Sequence, residues 1–251
     1  MGASRTISID LGGHRLRVAS QGAGRRNFLL LHGLVDTLSI WDALVPELEG
    51  EGRVVRFDQR AHGGSDAPPG PYRRSELAQD AVGVLDALGI ERAVLVGHSM
   101  GGIVAMQAAL DHRTRVAGLV LLGTASECSR KVADWYERIA QAGERGGIDG
   151  IVRAIYGEKS RRHVVGDAVG LAAMTRMLKS LHTNPLTPCL GAIACPTLAV
   201  VGTRDPMGVR ATEIVAEGIP GAHLRTVEGR HWVHVEAPRA ILVAYDEWGM
   251  A

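Results

Sequence analysis

The chain has 251 residues, 46% hydrophobic and 22% charged, which is enough apolar content to bury a full α/β core in one domain with an insertion. Its formal net charge of +1 gives no reason to expect nucleic acid or an anionic membrane as a partner. Three cysteines, Cys128, Cys189 and Cys195, have no C-x-x-C spacing; they argue against a disulfide framework and a zinc site, and fit a reducing, cytoplasmic compartment.

No apolar run approaches the roughly 20 residues of a membrane helix, and the first ten residues lack a signal-peptide core. The match to M-G-x-x-x-[ST] through Gly2 and Thr6 falls where the first strand is expected, so lipidation is set aside. Residues 6–10 and 15–19 alternate in polarity around Gly12-Gly13, the pattern of a β-hairpin. Asn27-Phe28-Leu29-Leu30-Leu31 is a continuous apolar run, as for a strand covered on both faces, and it ends in His32-Gly33-Leu34. A short helix is predicted over 40–48, with Trp41, Leu44, Val45 and Leu48 on one side. The strand predicted over 53–57 runs into Asp58-Gln59-Arg60-Ala61-His62-Gly63, and Pro68, Pro69, Gly70 and Pro71 then mark a loop. Leu77, Ala81, Val84, Leu85 and Leu88 share one helical face. Further strands are predicted at 93–96 and 116–122, separated by a helix over 102–110.

Such alternation predicts a mostly parallel, doubly covered sheet. It breaks after Gly123. Three helical runs follow, carried by Val132, Trp135, Tyr136 and Ile139, by Ile151, Val152, Ile155 and Tyr156, and by Met174, Met177, Leu178 and Leu181. The expected organisation is an α/β core of residues 1–123 and 186–251, with a helical cap formed by 124–185. Strands at 197–201 and 223–227 resume the pattern, and a last amphipathic helix runs through Trp248.

The chemistry centres on Gly97-His98-Ser99-Met100-Gly101, a G-x-S-x-G sequence placed between a strand and a helix. A turn that throws Ser99 outward crowds strand against helix, so positions 97 and 101 cannot carry a Cβ. Ser99 would then sit at a helix N-terminus, whose free N–H groups can stabilise an oxyanion.

Together, Leu31-His32-Gly33, Asp58-x-Arg60, Gly97-x-Ser99-x-Gly101, Gly202-x-x-Asp205 and Gly229-x-His231-x-x-His234-x-Glu236-x-Pro238 resemble the α/β-hydrolase superfamily over essentially the whole chain. The resemblance implies a catalytic triad of Ser99 as nucleophile, His231 as base and Asp205 as the acid that orients it, in the order this fold uses. Some members place the acid after the strand preceding the cap; here that position reads Leu122-Gly123-Thr124, without a carboxylate. The oxyanion hole would use the backbone N–H groups of Met100 and Leu34. Candidate substrate contacts are His32, His98, Trp135, Ile139, Met177 and Trp232, with Tyr136, Ile155, Met174 and Leu178 also available from the cap. For His32 and His98 a structural role beside the loops is the competing reading, and His234 either supports its loop or lines the pocket. Asp58-x-Arg60 reads as a turn held by a charged pair, although Ala61 stands where the family usually has Gly. Arg230 stands where a small residue is commoner, and is expected in water. The basic run Lys159, Arg161, Arg162 and His163 could attract a carboxylate or form a solvated face. His231-x-x-His234 has no third partner at metal-ligand spacing, so no metal is expected.

The implied activity is hydrolysis of small-molecule carboxylic esters or lactones without a cofactor. The segment from Asp58 through Gly70-Pro71-Tyr72 to Leu77-Ala78-Gln79-Asp80 is similar to that of 3-oxoadipate enol-lactonases. The same triad serves C–C bond hydrolases and a small menaquinone-pathway synthase, but Ile103 stands where the synthase has Arg. A ligand receptor on a hydrolase scaffold is the reading from another class. A haloalkane dehalogenase is disfavoured because Ser99 occupies the place of its carboxylate.

Overall fold

The computed structural model describes residues 5–248, so the motif at Gly2 begins outside the described residues. Eight strands, β1 (Arg5–Asp10), β2 (Arg15–Gln21), β3 (Arg26–Leu31), β4 (Gly52–Phe57), β5 (Ala93–His98), β6 (Val116–Leu122), β7 (Thr197–Gly202) and β8 (His223–Val227), form one sheet. Their spatial order is β1-β2-β4-β3-β5-β6-β7-β8. Only the β1–β2 and β2–β4 pairs are antiparallel; every pair from β4–β3 to β7–β8 is parallel. The predicted hairpin and mostly parallel sheet are both present.

Among the described residues eight α-helices accompany the sheet: α1 (Val45–Glu49), α2 (Arg74–Ala87), α3 (Met100–Asp111), α4 (Arg130–Tyr156), α5 (Ala168–Lys179), α6 (Val209–Gly218), α7 (Val233–Glu236) and α8 (Pro238–Glu247). The two-residue period of a strand divides each apolar run between two cores. On one face, Leu29, Leu31, Leu95, Leu119 and Leu121 pack with Leu77 and Leu85 of α2 and Ile103 and Met106 of α3. On the other, Phe28, Leu30, Val94, Val96, Val120 and Leu122 pack with Trp41, Leu44 and Leu48, and with Ile241 and Tyr245 of α8. This is why those strand sequences do not alternate with polar residues.

The helix predicted over 40–48 is split into a 3-10 turn (Leu38–Trp41) and α1. Pro46 stands in the first turn of α1, where its missing N–H costs nothing, but it could not donate within one continuous helix. The apolar residues keep their side: Trp41, Leu44, Val45 and Leu48 are all buried. Helix α4 is interrupted at Gly147 (φ 62°, ψ −153°), so the three helical runs predicted between β6 and β7 appear as two parts of α4 and as α5. Ile139, Ile151, Val152 and Leu171 from these helices form a third cluster with Val35, which follows β3. No helix among the described residues is long and apolar enough to cross a membrane.

Candidate active site

Parallel register brings the carboxyl ends of the central strands together: Leu31 lies beside Gly97, and His98 beside Leu122. Ser99 follows β5 immediately and caps α3, with φ 51° and ψ −114°. A non-glycine residue held in such a conformation carries strain of order 1–3 kcal/mol, so its surroundings must fix it. They do so from both sides: Ser99 N–H donates to the Leu122 carbonyl at 2.9 Å, and the Thr124 hydroxyl donates to the Ser99 carbonyl at 2.7 Å. A Cβ at Gly97 would meet Gly101 O at 2.5 Å, and one at Gly101 would meet Leu31 O at 1.9 Å. The crowding expected from the sequence is therefore present, though Gly101 is pressed against the neighbouring strand β3 rather than against β5.

Asp205 follows β7, and its backbone is turned by a hydrogen bond from its own N–H to Gly202 O at 3.1 Å. His231 follows β8. Its Nδ1–H donates to both Asp205 carboxylate oxygens, at 2.9 and 3.1 Å, which leaves Nε2 as the basic ring nitrogen. The Asp205 side chain is 1% exposed and that of His231 12%, so the pair is largely screened from water. Ser99, Asp205 and His231 line one cavity of about 250 Å³, together with Thr124, Cys128, Val132, Tyr136, Leu181 and Met207. Among the described residues, neither the Leu34 nor the Met100 backbone N–H donates to another protein group.

Four buried histidines surround this arrangement. Gln59 N–H donates to His32 Nε2 at 2.9 Å while His32 Nδ1–H donates to Gly33 O at 2.8 Å, and burial pushes its pKa down to about 4. His98 Nε2–H donates to the His231 carbonyl at 3.0 Å, tying the elbow to the loop that holds the imidazole. Burial, then the neighbouring His234, hold His98 well below the usual histidine range. His234 is fully buried between Trp41 and His98, its pKa pushed down by burial to about 3. Both its ring nitrogens are without a partner among the described residues. His234 packs between these rings and is not among the residues that line the Ser99 cavity.

The fourth, His62, is not singled out by the sequence. Val35 N–H donates to His62 Nε2 at 3.2 Å, and His62 Nδ1–H donates to Arg60 O at 3.0 Å. It thereby fixes Val35, which has φ 60°, directly after Leu34. Its sequence signal is weak, because the partner amide lies 27 residues away.

Six expected substrate contacts fall outside the residues that line the Ser99 cavity. His32 and His98 are buried with ring nitrogens bonded to backbone, and neither lines the cavity. Trp135 and Ile139 pack into the cluster around Val35, so their apolar face is used between helices. Met177 lines a separate groove of about 1150 Å³ between α2 and α5, which shares no residue with the Ser99 cavity. Trp232 Nε1–H donates to Asp36 at 3.2 Å. The Arg162 guanidinium is stacked on the rings of both Trp232 and Tyr156 and donates to the same Asp36 at 3.4 Å. Burial raises the Asp36 pKa, against the lowering effect of Trp232 and Arg162.

Asp58 and Arg60 are both paired, but not with each other. Asp58 accepts from Leu38 N–H, Gly64 N–H and Arg17, whereas Arg60 makes two 2.7 Å hydrogen bonds to Asp80. Ala61 adopts φ 66°, the left-handed conformation that glycine takes without strain. Arg230 is exposed, as expected.

Residues 26–148 match the family model for the alpha/beta hydrolase fold. A hydrolase from Pseudomonas aeruginosa PA01 has a similar structure, with a TM-score of 0.83 and 30% identity, covering 100% of this chain and 99% of that one. A thermophilic esterase from Thermogutta terrifontis superposes with a TM-score of 0.82 at 28% identity, covering 98% of each chain. The sequence is also 28% identical over 243 residues to 3-oxoadipate enol-lactonase 2 of Acinetobacter baylyi, covering 90% of this chain and 89% of the relative. Strand order, elbow and kinship agree: this chain belongs to the α/β-hydrolase superfamily.

Proposed function

We propose that the protein is a serine hydrolase of carboxylic esters or lactones, with Ser99, His231 and Asp205 as its triad. The observation that carries this reading is the Asp205–His231 hydrogen bond lining the same cavity as a serine held at an elbow. His231 Nε2 takes the Ser99 proton as Oγ attacks the carbonyl carbon. The N–H groups of Met100 and Leu34 receive the oxyanion. The intermediate collapses to an acyl-enzyme as His231 returns the proton to the departing alcohol, which in a lactone stays tethered to the acyl chain. Water activated by the same imidazole then releases the acid. Residues 124–185 serve as the cap, contributing Cys128, Val132, Tyr136 and Leu181 to the cavity wall. The similarity to an enol-lactonase and an esterase supports this bond class.

The test is turnover of a panel of short and long acyl esters, lactones and vinylogous diketones by wild type and Ser99→Ala. Cleavage confined to the diketones would replace the ester reading with C–C bond hydrolysis, and ligand binding without turnover would favour a receptor. Fluorophosphonate labelling at equal rates in wild type and His231→Ala would remove His231 as the base.

A further inference from the structure

We propose that the Ser99 cavity selects short, neutral esters or lactones and rejects those with a free carboxylate, with Glu127 setting that preference. This deepens, and rests on, the serine-hydrolase reading. At about 250 Å³ the cavity falls below the roughly 300–1,000 Å³ of pockets for drug-sized ligands, which favours short acyl and alcohol groups. No lysine or arginine lines it among the described residues. Its ionisable groups are Glu127, Cys128, Tyr136, Asp205 and His231. Burial raises the Cys128 and Tyr136 pKa values and so keeps both side chains neutral, while Asp205 and His231 are bonded to each other. Two negative charges therefore face the cavity and no positive one does: Asp205, buried and bonded to a neutral His231, and Glu127, which lies at the solvent side and has no ionic partner among the described residues. Its carboxylate is held by the Thr187 hydroxyl at 2.6 Å, a neutral donor that fixes its position without cancelling its charge.

Two further features bear on an incoming anion. Helices α3, α4 and α6 begin at this cavity, with caps at Ser99, Ser129 and Gly208, and their positive ends attract negative charge. The end of α3 would serve the oxyanion, and that of α4 is already met by the Ser129 hydroxyl, which accepts from Val132 N–H. The end of α6 contributes a fraction of a charge that fades within one turn, less than a whole carboxylate. The basic run that could have greeted an acid is not at the cavity: Arg162 is bound to Asp36 and stacked between Tyr156 and Trp232.

The experiment uses two p-nitrophenyl alkylphosphonate diesters of equal length, one ending in a methyl group and the other in a carboxylate. In each case Ser99 Oγ forms a bond to phosphorus, p-nitrophenolate leaves with the electron pair of the broken P–O bond, and the serine proton passes to His231. Release of p-nitrophenolate and the mass of the intact protein report labelling. We expect the neutral probe to label at least about tenfold faster at low salt, with the gap shrinking in about 1 M salt, where like charges are screened. Glu127→Gln, whose amide oxygen can still accept from Thr187, should narrow the gap at least about threefold, whereas Glu127→Asp should keep it. Equal rates, a faster anionic probe, a gap indifferent to salt, or a gap that Glu127→Gln leaves unchanged would overturn the proposal. Failure of both probes to label Ser99 would instead overturn the serine-nucleophile reading, and the charge preference with it.

Discussion

Replacing Gly97 by alanine tests how the elbow is built. The new methyl would meet Gly101 O at 2.5 Å and the N and Cα of Gly102 at 2.6 Å, all of them backbone atoms that cannot rotate away. Ordinary contact begins at 3.4 Å, so the first turn of α3 must back off from β5 by roughly an ångström. Overpacking of this kind costs about 1–3 kcal/mol, and a displacement of ~1 Å at reacting groups costs on the order of 100-fold in rate. Gly97→Ala should therefore lower the urea midpoint and reduce kcat/KM for a short p-nitrophenyl ester by about two orders of magnitude. Gly50→Ala is the control. Gly50 has φ −67° and nothing within 4 Å of a built Cβ, so this change should raise stability by about 0.4–1 kcal/mol and leave turnover alone. A Gly97→Ala protein with wild-type midpoint and wild-type kcat/KM would refute the crowding argument.

Ser99→Ala should lower kcat by about 10⁴–10⁶-fold with unchanged circular dichroism, as for triad deletions elsewhere; retained ester turnover would remove Ser99 as nucleophile. Asp205→Asn preserves the size of the side chain but favours the wrong imidazole tautomer, so kcat should fall by about 10⁴-fold, and a loss below tenfold would speak against Asp205 as the orienting acid. Stability should fall as pH drops from about 6.5 towards 4. His32, His62, His98 and His234 are held neutral by burial, with values of about 4, about 3, well below normal and about 3. Above pH 6.5 both states keep these rings neutral; below it only the unfolded chain takes up protons, and each ring adds up to about 1.4 kcal/mol per pH unit. Asp36, raised by burial, contributes the opposite slope, one group against four. Urea midpoints that stay level between pH 8 and 5 would contradict this.

What could be read from the sequence follows from how local each constraint is. Gly97 and Gly101 were readable because their spacing encodes a close approach within one turn, and Asp205 and His231 because each follows a recognisable strand. The two cores were implicit in the β3 sequence, where Phe28 and Leu30 face one layer of helices and Leu29 and Leu31 the other. Partners across the fold were not readable. Nothing near Arg60 in the chain says that its carboxylate is Asp80 rather than Asp58, or that His62 will hold the amide of Val35. Helical periodicity identified the apolar faces of α4 and α5, but not what covers them. Ile139 went to a cluster with Val35 and Met177 to a different groove, whereas Tyr136, one turn before Ala140, reached the cavity.

The end of β6 has a consequence for how such a site can change over evolution. Gly123 has φ 53°, and a Cβ there would stand 2.9 Å from Asp205 Oδ2 and 3.3 Å from His231 Nδ1. Two strand ends thus compete to seat a single carboxylate, and the volume that would admit a side chain on one is filled by the residue on the other. In this chain a side chain at 123 would press on both Asp205 and His231, so a carboxylate moved there would displace Asp205 from the imidazole instead of joining it.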